Sequence, residues 1–323
     1  MTVDTSLRSP AGQLAWLGIA LALLGAATFA SKGIVVKLAL LQDVDALTTL
    51  TWRMLVAVPI FVTVGLLGYR RRQRARADGA PPVLDMRSFL QALAVGVLGY
   101  YVASFLDFQA LEYISAQFDR LILLTYPFFV VLFGAVFFKR RVTRPMIAGQ
   151  LVSYLGIAIL FWRDLHFEGR DVALGAALVF AAAVAYAGYQ ILAKPLIDKM
   201  GSQLFTSIAM SGAGPAIVVH FLLTHPAGDL AVPVEALPLM LAIGTVSTVL
   251  PAYCISAAIG MIGPERTAVI GNISPVVTIA LAVGVLGEAF TPWHAAGTAM
   301  VLAGAWLFTR KARTKVPEVD VEP

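Results

Sequence analysis

A single cysteine in 323 residues, Cys254, excludes an intrachain disulfide and leaves no cysteine cluster to hold a metal. Histidine is scarce and scattered. His166, His220, His225 and His294 form no His-Glu-x-x-His pair, and each reads as a loop or packing residue. No phosphate-binding Gly-Lys-Ser/Thr loop is present, so the sequence carries no ATP motor of its own. No cofactor is expected. Charged residues make up only 13% of the chain, against roughly 25% in a soluble domain. Apolar residues fill the difference, at 59% with a mean hydropathy of +0.82. Burying that much apolar surface against water is geometrically hard for one chain of this size, and a lipid solvent removes the difficulty. The alternating segments of a β-barrel are missing. The expectation is an all-α polytopic membrane protein.

A helix needs about 20 apolar residues to span hydrocarbon. Ten stretches free of Asp, Glu, Lys and Arg qualify as cores: 13–31, 54–69, 88–106, 121–138, 145–162, 172–193, 200–224, 236–264, 267–287 and 289–309. Lipid cannot satisfy open backbone groups, so all are predicted transmembrane helices. The second and fourth extend outward past Arg53 and past Asp119–Arg120, which puts those charges inside helices. The eighth is long enough to contain its own loop. The first exceeds a signal-peptide core and lacks a convincing cleavage site, so it reads as a retained helix. A net charge of +5 would also suit nucleic acid, but the basic residues gather at the ends of apolar runs. Arg70, Arg71, Arg72, Arg74, Arg76 and Arg87 form one group, Lys139, Arg140, Arg141 and Arg144 a second, and Arg310, Lys311, Arg313 and Lys315 a third. With ten helices all three fall on one side, which predicts a multi-pass inner-membrane protein with both termini cytoplasmic.

The chain repeats itself. An offset of 148 aligns 110–160 with 258–308 without a gap, matching Pro127 to Pro275, Thr143 to Thr291 and Gly156 to Gly304. An offset of 157 aligns the first helix with the sixth, including Lys37 with Lys194. Five helices per copy is an odd number, so the second copy is inverted. The predicted organisation is a tail at 1–13, a first five-helix repeat at 14–162, an outer loop at 163–171, a second repeat at 172–310 and a tail at 311–323. Inverted repeats of this kind place a substrate near the midplane, where the copies meet.

The stretch Gly263-Pro264-Glu265-Arg266-Thr267-Ala268-Val269-Ile270-Gly271-Asn272-Ile273-Ser274-Pro275, followed by Leu286-Gly287-Glu288 and Ala296-Gly297, resembles the closing part of the EamA domain. The first copy, from Ala110-Leu111-Glu112 through Tyr126-Pro127 and Phe137-Phe138, resembles the same pattern. The resemblance covers about residues 14–310 as two tandem domains of the drug/metabolite transporter superfamily. It implies export or import of amino acids, nucleotides, sugars or drugs. The first copy departs from the pattern where Phe138-Lys139-Arg140 replaces Leu-Gly-Glu, so no acidic role transfers there.

A charge at the bilayer centre costs on the order of 2.5–3.5 kcal/mol, which makes intramembrane charges functional candidates. Lys32, Asp107, Asp119 and Arg120 are the candidate gate or proton-coupling set, with Asp107 and Asp119 pairing with some of Lys32, Arg53 and Arg120. A static salt-bridge cluster is the alternative. Lys37 and Arg53 read better as static or snorkelling side chains. Tyr100, Ser104 and Asp107 share one face of the third helix. Tyr186, Gln190 and Lys194 share one face of the sixth. Tyr126 lies on the Asp119 face, and Asn272 and Ser274 precede Pro275. Tyr100, Ser104, Tyr126, Tyr186, Gln190, Asn272 and Ser274 are therefore the candidate substrate-binding residues, with Pro127 and Pro275 as helix kinks. Gly18, Gly25, Gly149, Gly156, Gly297 and Gly304 read as sites of close helix packing. The resulting expectation is a secondary transporter moving a small metabolite by alternating access, with preference for an amino acid or related zwitterionic or anionic compound. A membrane-embedded enzyme on a lipid-like substrate, or uptake rather than export, stays open. The expected partners are the substrate and the lipid bilayer, with a homodimer as a further candidate assembly and no nucleic acid.

Overall fold

The computed structural model describes residues 10–74, 84–138, 144–168, 171–262, 270 and 273–312, and among these no strand occurs. Among the described residues, seven helical stretches are long and apolar enough to cross a membrane: Trp16–Leu40, Ala46–Arg74, Met86–Ala110, Ala116–Phe137, Asp171–Met200, Ser202–Thr224 and Val234–Ile255. Two shorter apolar helices, Ile147–Arg163 and Ser274–Leu286, accompany them. The outward surface is apolar, with Trp162, Phe137 and Leu223 between 71% and 81% exposed, as suits a lipid-facing exterior. The chain is thus a multi-pass membrane protein.

In chain order the helices are α1 (Pro10–Ala30), α2 (Lys32–Leu40), α3 (Ala46–Arg74), α4 (Met86–Gly96), α5 (Ala103–Ala110), α6 (Ala116–Leu123), α7 (Tyr126–Phe138), α8 (Arg144–Glu168), α9 (Asp171–Met200), α10 (Ser202–Thr224), α11 (Leu237–Gly244), α12 (Leu250–Ile262), α13 (Ser274–Leu286) and α14 (Pro292–Ala312). Polar side chains start several of them. Asp45 accepts from the Thr48 amide at 2.9 Å, Asp85 from Ser88 at 3.2 Å, and Ser115 from Phe118 at 3.1 Å. Gly287, at φ +67, ends α13 in the left-handed conformation that favours glycine.

Two π-helical turns, Val97–Val102 and Thr245–Val249, join α4 to α5 and α11 to α12. Leu237–Ile262 is therefore continuous helix with no loop inside it, and the last two residues of the eighth core, 263 and 264, lie outside the described residues. The turns begin 148 residues apart, as do α7 and α13, and α8 and α14. Pro127 and Pro275 are not kinks within a helix. Breaks at Leu124–Thr125 and at Ile273 precede them, and each is the second residue of a new helix. The amide that proline lacks has no intrahelical partner there, so its loss costs nothing.

The packing is antiparallel wherever matching helices meet. Gly65 of α3 faces Ser207 of α10, whereas Val58 faces Gly214. Gly156 of α8 faces Gly297 of α14, and Gly149 faces Gly304. A Cβ at Gly156 would lie 2.6 Å from the Gly297 carbonyl oxygen, so this crossing requires glycine. The remaining contacts are reciprocal. Helix α1 runs against α12, with Gly18 on Met261 and Ile262 and Gly25 on Cys254 and Ile255. Helix α9 runs against α5 and the first π turn, with Gly175 on Tyr113 and Ile114 and Gly188 on Leu98.

Candidate functional site

Helix breaks and π turns free backbone groups and re-aim side chains, and polar residues collect around them. Ser31, between α1 and α2, donates to the Thr28 carbonyl at 2.7 Å and meets Ser247 Oγ of the second π turn at 2.9 Å. One residue earlier, the Ala30 carbonyl accepts from Thr278 Oγ1 of α13 at 3.1 Å. Lys32 then places Nζ 2.6 Å from Asp107 Oδ2, with side-chain exposures of only 12% and 3%. The ammonium lies 5.7 Å from the centroids of both Phe29 and Phe108.

Arg53 is buried. Its Nε donates to Thr248 Oγ1 at 2.9 Å, its Nη1 donates to Ser104 Oγ at 3.0 Å, and its guanidinium lies 5.6 Å over Phe108. Thr248 Oγ1 in turn donates to the Ile243 carbonyl at 2.7 Å, five residues back, which the π turn makes reachable. Arg120 donates from Nη2 to Ser274 Oγ at 2.5 Å and lies 5.1 Å over Phe29. Its Nε, and one oxygen each of Asp107 and Asp119, are buried with no hydrogen-bond partner. One of the expected pairings is made. Lys32 pairs with Asp107, but Asp119, fully buried, makes no ion pair among the described residues, and Arg120 turns to Ser274.

Beside this cluster stands a chain of four phenols. Tyr189 donates to the Tyr100 hydroxyl at 3.0 Å, with ring centroids 5.2 Å apart. Tyr186 stacks on Tyr189 at 5.6 Å and meets the edge of Tyr126 at 5.0 Å. The structure therefore brings Tyr100, Ser104, Tyr126, Tyr186 and Ser274 to one region, with half-buried Gln190 one turn beyond Tyr186. Lys194 leaves it, being exposed and paired with Asp198. Asn272 lies outside the described residues. An open groove of about 770 Å³ between α5, α8 and α9 is separate from this region. Leu106, Phe161, Ala176 and Phe180 line it, and no polar side chain contributes.

Sequence reasoning missed four features. Tyr189 sits among alanines and carries no charge to flag it. Thr248 matters only because a π turn aims it. Arg53 reads in the sequence as static or snorkelling, and its hydroxyl partners are not foreseen there; α3 begins seven residues earlier, and the Trp52 indole donates to the Leu230 carbonyl at 3.1 Å, so loop structure covers this end. Glu288 reaches back to accept from the amides of Ala116 at 2.7 Å and Gln117 at 3.2 Å, capping α6 with a charge that suits a helix N-terminus. At the opposite end Lys199 pairs with Asp85 at 2.6 Å, and Arg72 donates to the Met200 carbonyl. Lys199 and then Ser88 hydrogen-bond the Asp85 carboxyl and hold it well below the usual carboxylate range.

The model of the EamA-like transporter family matches this chain twice, over residues 16–162 and 173–310. An uncharacterized transporter of Bacillus subtilis, YcbK, is 29% identical over 276 residues, which is 82% of this chain and 84% of the relative. A probable terminal-alkyne amino-acid exporter of Streptantibioticus cattleyicolor is 26% identical over 255 residues, 79% of this chain and 80% of the relative. One crystal structure aligns with a TM-score of 0.58 at 19% identity, covering 93% of this chain and 97% of that one, a likeness of fold.

Proposed function

This chain belongs to the EamA-like transporter family, and from that premise we propose that it exports an amino acid or a related zwitterionic or anionic metabolite by alternating access. It is a transporter rather than an enzyme. In this reading ten membrane helices form two inverted five-helix halves, 14–162 and 172–310, with both termini on the cytoplasmic face of the inner membrane. Antiparallel packing of α3 on α10 and of α8 on α14 supports the inversion. A rotation that maps a helix onto an antiparallel partner has its axis in the membrane plane, as alternating access requires.

One observation carries the proposal: five polar contacts of this region run from one half to the other. Ser31–Ser247, Arg53–Thr248, Tyr100–Tyr189, Arg120–Ser274 and Ala30–Thr278 all cross the seam. Polar bonds in lipid are worth about 0.6–2 kcal/mol each, so such a seam holds without becoming permanent. Apolar packing alone would offer no such set of exchangeable partners. In this reading the four tyrosines take the substrate's apolar body. Lys32–Asp107 closes the outer side, with Asp119 and Arg120 as alternative partners when the halves rock. The amino-acid exporter among the relatives supports both the substrate class and the direction.

Purified protein in liposomes, assayed for flux over an amino-acid panel with and without a pH gradient, tests the reading. Saturable flux of at least one zwitterionic compound is expected. Leak-level flux across the whole panel would defeat it.

A further inference from the structure

We propose that Arg53 is the receptor for the substrate's carboxylate, which makes an acidic head group a requirement for tight binding. The inference rests on the transporter reading above and specifies its substrate contact. Arg53 is 6% exposed and carries a full charge, yet its hydrogen-bond partners are two neutral hydroxyls, Thr248 and Ser104. No carboxylate lies within ion-pair distance of it among the described residues. A buried charge is ordinarily neutralised by a partner, because an uncompensated one costs several kcal/mol. Of the nearby carboxylates, Asp107 is bonded to Lys32, and Asp119 makes no ion pair with Arg53 among the described residues.

The guanidinium is also preorganised. Two of its nitrogens are fixed by side chains from different helices, its face lies over Phe108, and Nη2 makes no hydrogen bond among the described residues. A planar fork held on one side with donors free on the other matches a carboxylate. Thr248 is a positioning residue. It belongs to the second half, whereas Arg53 belongs to the first, so the receptor is set only when the two halves are together. Tyr100, on the turn before Ser104, leads from the guanidinium to the phenol chain, which would hold the body of the same molecule.

Binding of L-amino acids and of their carboxamides to the detergent-purified protein tests this, with L-phenylalanine and L-phenylalaninamide as the first pair. Loss of a charge-assisted hydrogen-bond pair corresponds to about a 10- to 100-fold weakening. The wild type is expected to prefer the acid by that factor. Arg53→Gln is expected to bind acid and amide alike, Arg53→Lys to keep part of the preference, and Thr248→Val to reduce it. A merely structural role would weaken both ligands together. Absence of preference in the wild type, or full preference retained in Arg53→Gln and Arg53→Lys, overturns the proposal. Should Arg53→Gln fail to elute as a monodisperse species, Arg53→Lys and Thr248→Val decide. Flux is read separately, so acid-selective binding without transport would count against the carrier reading and leave the receptor standing.

Discussion

Lys32→Met removes the cation of a pair whose side chains are 12% and 3% exposed. That burial decides the magnitude. An exposed pair contributes only about 0–1 kcal/mol. Removing one partner of a buried pair leaves an uncompensated charge and costs about 3–5 kcal/mol. Asp107 is a severe case, because its other oxygen already lacks a partner. The variant is thus expected to lose about 3–5 kcal/mol, mostly through Asp107 rather than through lost attraction. Asp107→Leu should be costly for the converse reason. In Lys32→Met/Asp107→Leu neither charge remains, and stability should return to within about 1 kcal/mol of wild type. Equilibrium unfolding in mixed micelles measures all four proteins. If Lys32–Asp107 is the outer closure proposed above, the double variant should also leak or lose directional transport. Additive losses in the double variant, or a Lys32→Met protein as stable as wild type, would refute the buried-pair reasoning.

Glu288→Ala removes the acceptor for two amides at the start of α6 and should cost about 1–2 kcal/mol, with Glu288→Gln falling between, measured by the same unfolding. Gly156→Val drives a side chain into the Gly297 carbonyl and the Met300 Cβ, so it should destabilise by about 1–3 kcal/mol and raise protease sensitivity. The Asp85 carboxyl titrates lower folded than unfolded, so its contribution is present above about pH 5 and declines as pH falls through its unfolded value near 4. The stability difference between wild type and Asp85→Asn should accordingly be constant at neutral pH and shrink on acidification. A difference that grew as pH fell would reverse the sign.

Much of the helical framework was legible because lipid imposes a simple rule, that every spanning backbone group bonds within its own helix. Long apolar runs and basic ends follow from it directly. The 148-residue offset was legible too, and elements at both ends of that offset begin in register. Lys32 and Asp107 could be nominated because charge is rare in such runs, and these two meet. The finer site was hidden for identifiable reasons. Thr248 bonds Arg53 through a π turn, and nothing in Thr245–Val249 distinguishes that turn from α-helix by composition. Pro127 and Pro275 mark breaks, but whether a proline kinks a helix or opens one depends on the two residues before it. Glu288 lies one residue past the left-handed Gly287, and its reach to α6 depends on that turn rather than on any periodic pattern.

Thiol accessibility tests alternating access most directly. Cys254 is buried and is the chain's one cysteine, so Cys254→Ala gives a clean background. Ser104→Cys then reports on the seam in oriented vesicles treated with a membrane-impermeant maleimide from either side. Two opposed halves rocking about this seam predict labelling from both sides, slowed from both by substrate. Labelling from one face alone, or an identical rate with and without substrate, would contradict the mechanism.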